Sequence, residues 1–209
     1  MSSAEIISTG SHGNAVIYHN SIMVDCGISF KAVKPYLNFI QVILLTHKHL
    51  DHLNVKTLKK IQLERPSIRV GACQWMMKYL KGIDNIDLYE PNEVYNYGPF
   101  TISPFHAQHN VPNCGYRINY NGYKTIHVTD VAHLEGIEAK GYDLYAIEHN
   151  YDADTLDDYI MEAKAKGEYT HLYESTSNHL SIQQAIEFIY ANKKESSEVL
   201  KLHQSSSFY

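Results

Sequence analysis

The segment LLTHKHLDHLN, residues 44–54, constrains the fold more than any other part of the chain. It begins within a continuous apolar run, QVILL, which predicts a strand buried on both faces. Four potential metal ligands follow within six positions, an arrangement expected roughly 0.002 times by chance at this composition. They are His47, His49, Asp51 and His52. In an extended segment the first two histidines point the same way, so the pattern indicates two metals, one held by an imidazole pair and one by a carboxylate with an imidazole.

The remaining segments predict an α/β fold. The first half alternates strand-like runs with turns, and the second half alternates strands with helices, which predicts two sheets back to back with helices outside. Strands are expected at 4–8, 14–20, 21–27, 41–45, 68–72, 100–107, 114–120, 143–150 and 198–203, with a hairpin over 119–130 that turns at Asn121-Gly122. Helices are expected at 30–37, 55–65, 73–80, 155–168 and 181–194.

Side-chain patterns add detail to two of these helices. The helix at 55–65 is expected to turn Leu58, Ile61 and Leu63 inward. Ser181 and Gln184 form a capping box at the last helix. Thr155 is the expected cap of the helix before it.

Composition limits the architecture and the setting. There is no linker, repeat or compositional shift, so residues 1–209 are expected to form a single domain. An odd count of three cysteines and the absence of a signal-peptide pattern favour a reduced, cytoplasmic protein. No apolar run approaches a membrane span, so no membrane partner is expected. The sequence leaves a monomer and a homodimer open.

Charge limits the partners. The net charge is −5, and only three basic residues are arginines, so the sequence shows no basic stripe for gripping a long duplex. The 17 tyrosines are consistent with core packing, and stacking on nucleic-acid bases stays open as an alternative.

The histidine motif resembles the signature of the metallo-β-lactamase fold superfamily at every fixed position. The resemblance implies a four-layer αββα sandwich in which two mixed β-sheets are flanked by helices. It also implies three further ligands at strand ends: a histidine, a bridging aspartate and a last histidine. His109, Asp130 and His203 occupy such places, and His106 competes with His109 for the first.

Carried onto this chain, the resemblance implies two divalent metal ions, zinc with manganese as the alternative. The first ion is held by His47, His49 and His109, the second by Asp51, His52 and His203, and Asp130 bridges them. The ligands bring two negative charges against four positive ones, which favours an anionic substrate.

Several segments resemble the phosphodiesterase branch of this superfamily, namely tRNase Z and the YycJ/WalJ-type exonucleases. They are STGSHGNAVIY, IMVDCGISF, IEHNYD, SNHLSIQQA and LHQSSSFY. The resemblance implies hydrolysis of a phosphodiester by a metal-bridging hydroxide. Asp51 would orient the hydroxide, His179 would protonate the leaving group, and Glu148 would orient His179.

Alternatives remain at this stage. His179 is also explained as a bystander beside the Ser181 cap, and Ser205–Ser207 as a frayed tail rather than phosphate donors. The long arm of tRNase Z is absent and arginines are few, so the substrate is either nucleic acid or a small nucleotide, such as the cyclic nucleotides that related phage proteins destroy. A lactonase or thioesterase on the same site, and a non-catalytic metal-stabilised module, are the competing functions.

Overall fold

The computed structural model describes residues 3–167 and 176–205, whose strands form two six-stranded sheets. These residues divide into two units. The first comprises residues 3–97 with 103–105, and the second comprises 98–102 with 106–167 and 176–205. Among these residues, no helix has both the length and the apolar character needed to cross a membrane.

The first sheet is mixed and has the order β1-β2-β3-β4-β5-β6. Its strands are β1 Ala4–Ser8, β2 Ala15–Tyr18, β3 Ile22–Val24, β4 Val42–Leu45, β5 Arg69–Cys73 and β6 Ile86–Tyr89. The first three strands are antiparallel, whereas β3 to β6 run parallel. All four residues of β4 are buried, as the continuous apolar run predicts, and this strand leads directly into the histidine motif.

Two α-helices belong to the first unit. Helix α1, Phe30–Val33, passes into a 3-10 turn at Lys34–Tyr36, where Pro35 cannot donate a helical hydrogen bond. Helix α2, Val55–Glu64, begins at Asn54, whose side chain accepts from the Thr57 amide. Its buried residues join a core that includes Met23, Ile43, Leu58, Ile61 and Val70.

The second sheet has the order β12-β11-β10-β9-β8-β7. Its strands are β7 Tyr95–Asn96, β8 Phe100–Ala107, β9 Asn113–Tyr120, β10 Tyr123–Val128, β11 Leu144–Glu148 and β12 Glu198–Leu202. The β9–β10 hairpin turns at Asn121-Gly122, where both residues have positive φ angles of 49° and 92°, as predicted. Strands β10, β11 and β12 run parallel, so their carboxyl ends lie at one edge.

The second unit includes the helices α3, Leu156–Ala165, and α4, Ile182–Asn192. Ser181 and Gln184 make the predicted capping box at α4. The predicted cap of α3 is wrong in detail, because the Thr155 side chain makes no capping hydrogen bond. Residue 168, the predicted end of that helix, lies outside the described residues.

The structure confirms the predicted α/β class with two mixed sheets and flanking helices and corrects several details. Leu63 is 84% exposed, because it lies on the face of α2 opposite Leu58 and Ile61. The helix expected at 73–80 is a 3-10 helix, Gln74–Tyr79. Strands β6 and β7 were not expected, since neither has a strongly apolar pattern. The single-domain prediction stays a prediction.

Candidate metal centre

The first candidate ligand cluster lies within the first unit, in the loop between β4 and α2. His47 is fully buried and His49 is partly buried. His47 Nε2 lies 3.0 Å from His49 Nδ1, and the two rings meet edge to face. Ligand atoms around a tetrahedral zinc ion are about 3.3 Å apart at zinc–nitrogen distances of 2.0–2.1 Å. The nitrogen pair therefore fits a metal ion, as the sequence predicts.

A hydrogen-bond chain fixes the tautomer of His47. The Thr46 hydroxyl lies 2.9 Å from both carboxylate oxygens of Asp25 and 3.0 Å from His47 Nδ1. Because the hydroxyl donates to the carboxylate, it accepts from Nδ1. The lone pair of His47 then lies on Nε2, the atom that faces His49.

Asp25 also holds His52. The distance from His52 Nδ1 to Asp25 Oδ2 is 2.7 Å, and the two side chains are 0% and 1% exposed. Nδ1 donates to the carboxylate, so Nε2 carries the lone pair, and it lies 3.4 Å from Asp51 Oδ2. Burial raises the pKa of the Asp25 carboxyl, although the His52 and Thr46 contacts act in the opposite direction.

The glycine-rich segments before the motif support Asp51. The Asn14 backbone amide donates to the Asp51 carbonyl oxygen at 2.6 Å. The Asn14 side-chain nitrogen lies 2.9 Å from His52 Nε2. Gly27 is required by close approach, because a Cβ there would lie 1.7 Å from the Asp51 carbonyl oxygen. These contacts explain the GSHGN and DCG segments, which the sequence analysis noted only as a resemblance.

The second candidate cluster lies within the second unit and contains three predicted ligands at strand ends. His109 follows β8, Asp130 follows β10 and His203 follows β12. Asp130 Oδ1 lies 3.9 Å from His109 Nε2 and 3.6 Å from His203 Nε2. These distances are long for hydrogen bonds but near the separation of two ligands on one ion.

Local backbone geometry directs two of these side chains. Asp130 and His203 have φ angles of 53° and 48°, in the left-handed region that non-glycine residues rarely adopt. Asn113 donates to the Asp130 carbonyl oxygen at 2.7 Å, and Asn150 donates to the His203 carbonyl oxygen at 3.0 Å. Such conformations persist where the surroundings hold them, and they cluster at functional sites.

His109 and its alternative His106 differ in burial and in hydrogen bonding. The His109 side chain is 1% exposed, and its Nδ1 donates to the Asn178 carbonyl oxygen at 3.0 Å. Its Nε2 is therefore the atom that faces Asp130. His106 lies on β8 and is exposed. The choice of His109 stays a prediction.

Glu148, at the end of β11, is fully buried and contacts the second candidate cluster. Its Oε2 accepts from the Val131 and Leu180 amides at 3.0 and 3.1 Å. Its Oε1 accepts from His179 Nδ1 at 2.7 Å and His203 Nδ1 at 3.0 Å. Glu148 therefore accepts from four donors, and two of them are imidazole nitrogens.

The charge of Glu148 is stabilised by these contacts. Burial acts to raise the pKa of its carboxyl, but the hydrogen bonds from His179 and His203 outweigh burial and hold the pKa below its usual value. Burial acts to lower the pKa of His179, but Glu148 holds it above its usual value.

His179 contacts residues of the second candidate cluster. Its Nδ1 bonds to Glu148 and lies 3.6 Å from Asp130 Oδ1. Its ring stacks on His203 with centroids 5.3 Å apart, and the side chain remains 18% exposed. An imidazole held in this way has its Nε2 edge available to a bound molecule.

The sequence did not predict the hydrogen bonds that Asn14, Asp25, Thr46 and Asn150 make to candidate ligands or their neighbours. None of these residues has a characteristic spacing to the ligands. The remaining histidines include His133, which bonds to Gln108 at 2.6 Å. His171, Ser206 and Ser207 lie outside the described residues. The Ser205 amide donates to the Asn150 carbonyl oxygen at 3.1 Å.

Comparison with known proteins shows the family of this chain. A family model described as the beta-lactamase superfamily domain matches residues 20–198, so the chain belongs to that superfamily. The chain has the metallo-β-lactamase fold, and the fold implies divalent metal ions.

Particular relatives are more distant. The exodeoxyribonuclease YycJ of Bacillus anthracis is 24% identical over 170 residues, which cover 72% of this chain and 64% of that protein. The chain therefore spans less than two thirds of this relative. Among solved structures, the metallo-beta-lactamase fold protein YhfI of Bacillus subtilis has a TM-score of 0.73 at 17% identity, covering 97% of this chain and 86% of that chain. The short form of human tRNase Z has a TM-score of 0.68 at 17% identity, covering 97% and 93%. These likenesses confirm the predicted fold.

The Asp25 contacts predict a loss of metal affinity when this carboxylate is changed. Asp25→Asn leaves the side-chain shape intact but removes the charge that orients His52 and, through Thr46, His47. We expect divalent metal affinity to fall about 10- to 100-fold, as for other residues that orient metal ligands. Competition with a chromophoric chelator measures this.

Asp87→Asn is the matched control, because Asp87 pairs with Arg69 in the same unit and contacts no candidate ligand. It should leave metal affinity unchanged. Equal affinity of wild type and Asp25→Asn would contradict the orienting role of Asp25.

Proposed function

We propose that this protein is a hydrolase that cleaves phosphodiester bonds in nucleic acid or in a small nucleotide, with two divalent metal ions. The observation that carries the proposal is the Glu148–His179 pair beside Asp130 and His203. This arrangement places an oriented imidazole, 18% exposed, next to candidate ligands, as protonation of a departing alkoxide requires. The relatedness to YycJ and the fold shared with tRNase Z support the same branch.

In the proposed site, His47, His49 and His109 would hold one ion, Asp51, His52 and His203 would hold the other, and Asp130 would be a ligand shared by both. The donor set is entirely nitrogen and oxygen, which suits zinc or manganese. Bound there, divalent ions would acidify a water molecule and neutralise charge on the phosphate oxygens.

The chain's own residues perform the remaining steps. Asp51 accepts a hydrogen bond from the attacking water and directs its approach. His179 delivers a proton from Nε2 to the departing oxygen, while Glu148 holds Nδ1 and stabilises the protonated ring. The buried acceptors Asp25 and Glu148 keep His47, His52 and His203 in the tautomers that present Nε2.

A substrate panel tests the reaction class. Protein loaded with zinc or manganese should hydrolyse bis-p-nitrophenyl phosphate, whereas thioester and lactone substrates should react far more slowly. His49→Ala should lose metal and activity together, because it removes one of the facing nitrogens. Faster turnover of a thioester or lactone would overturn the proposal. Within the phosphodiesters, linear DNA, pre-tRNA and cyclic nucleotides should then be compared.

A leaving-group comparison tests the role of His179. His179→Ala should retain metal yet lose about 10²- to 10⁴-fold in kcat on a nucleotide substrate, whose alkoxide leaving group needs a proton. It should lose less than about tenfold on the nitrophenyl ester, whose leaving group needs none.

His106→Ala is the control, since this histidine is exposed and should affect neither substrate. An equal loss on both substrates in His179→Ala would show that this residue does not act as the proton donor.

A further inference from the structure

Two lysines approach one aromatic ring in the first unit. Lys48 Nζ lies 5.9 Å and Lys78 Nζ 5.1 Å from the centre of the Tyr79 ring. Both lysines are exposed, and the ring is half-buried against the core. Among the described residues, neither lysine forms an ion pair with a carboxylate, whereas Lys34 and Lys194 do.

The topology explains why these groups meet beside the metal loop. Strands β4 and β5 are parallel neighbours, with Leu45 opposite Ala72. Lys48 follows β4, and the 3-10 helix Gln74–Tyr79 follows β5, so both segments leave the same edge of the sheet. Lys48 lies between His47 and His49 in the chain, so the loop that carries these two candidate ligands also carries one of the lysines.

The electrostatics of this cluster favour an anion. Two ammonium groups around one ring repel each other, and the negative face of the ring offsets this only in part. In a chain of net charge −5, an uncompensated pair of cations beside the metal ligands is a local reversal of sign. Such a reversal attracts phosphates and gives salt-dependent binding.

We propose that Lys48 and Lys78, positioned by Tyr79 and here called the lysine pair, bind backbone phosphates that neighbour the scissile phosphate of a single-stranded polynucleotide. This inference rests on the proposed phosphodiesterase function and narrows its substrate. A cyclic mononucleotide has one phosphate, which the metal site takes, and it leaves the lysine pair without a ligand. A single strand offers further phosphates along its backbone.

Salt-dependent binding tests the lysine pair without turnover. The probe is a fluorescein-labelled, nuclease-resistant phosphorothioate single strand of twelve nucleotides, and the readout is anisotropy with the metal-loaded protein. The Lys48→Ala/Lys78→Ala double variant should reduce the slope of log K against log salt by about 1.4, since each phosphate contact on a single strand contributes about 0.7. The Lys31→Ala/Lys60→Ala variant removes the same charge from exposed positions of the same unit and should leave the slope unchanged.

Kinetics then separate this inference from the proposed function. The Lys48→Ala/Lys78→Ala variant should raise KM about tenfold for both DNA and RNA oligomers. The kcat for oligomers, and the turnover of bis-p-nitrophenyl phosphate and cyclic nucleotides, should not change. If the protein cleaves phosphodiesters but the Lys48→Ala/Lys78→Ala variant has an unchanged salt slope and an unchanged KM, only the proposed role of the lysine pair is overturned. Normal binding in a protein that cleaves no phosphodiester would overturn the proposed function. A loss confined to one sugar type, or an equal loss in the control variant, would contradict backbone-phosphate binding.

Discussion

The candidate centre depends on buried carboxylates that each hold more than one side chain. An imidazole binds a metal only through the nitrogen that carries its lone pair, and the hydrogen bond at the other nitrogen decides which one that is. In the first unit Asp25 holds His52 directly and His47 through Thr46. In the second unit Glu148 holds His203 and His179. In each unit, therefore, a buried carboxylate at the carboxyl end of a strand orients imidazole side chains.

Burial makes an isolated carboxylate unfavourable in free energy, and for that reason it also makes the carboxylate orient the donors around it. An ionised carboxylate away from water is unfavourable by several kcal/mol unless donors surround it. Glu148 is fully buried and receives four hydrogen bonds, two of them from backbone amides that fix its position. The imidazoles complete its solvation, so their orientation follows from the need to stabilise the carboxylate. The same contact links a candidate ligand, His203, to the proposed proton donor, His179.

The sequence predicted those features that depend on local pattern. The buried strand before His47, the Asn121-Gly122 turn and the Ser181 cap follow from periodicity and turn chemistry, and the ligand positions followed from the resemblance. The exposure of Leu63 and the 3-10 geometry of Gln74–Tyr79 did not follow, since tertiary packing decides which helical face is buried. Asp25 lies more than 20 residues before His47, and no spacing rule connects them. Only the folded sheet brings β3 and β4 together and shows the contact.

Anomalous diffraction from crystals grown with zinc tests the account most directly. We expect two ions per chain, one bound by His47, His49 and His109 and the other by Asp51, His52 and His203. Asp130 should bind both ions, and Glu148 should bind neither. Crystals without an ion at these residues, or an ion bound directly by Glu148, would contradict it.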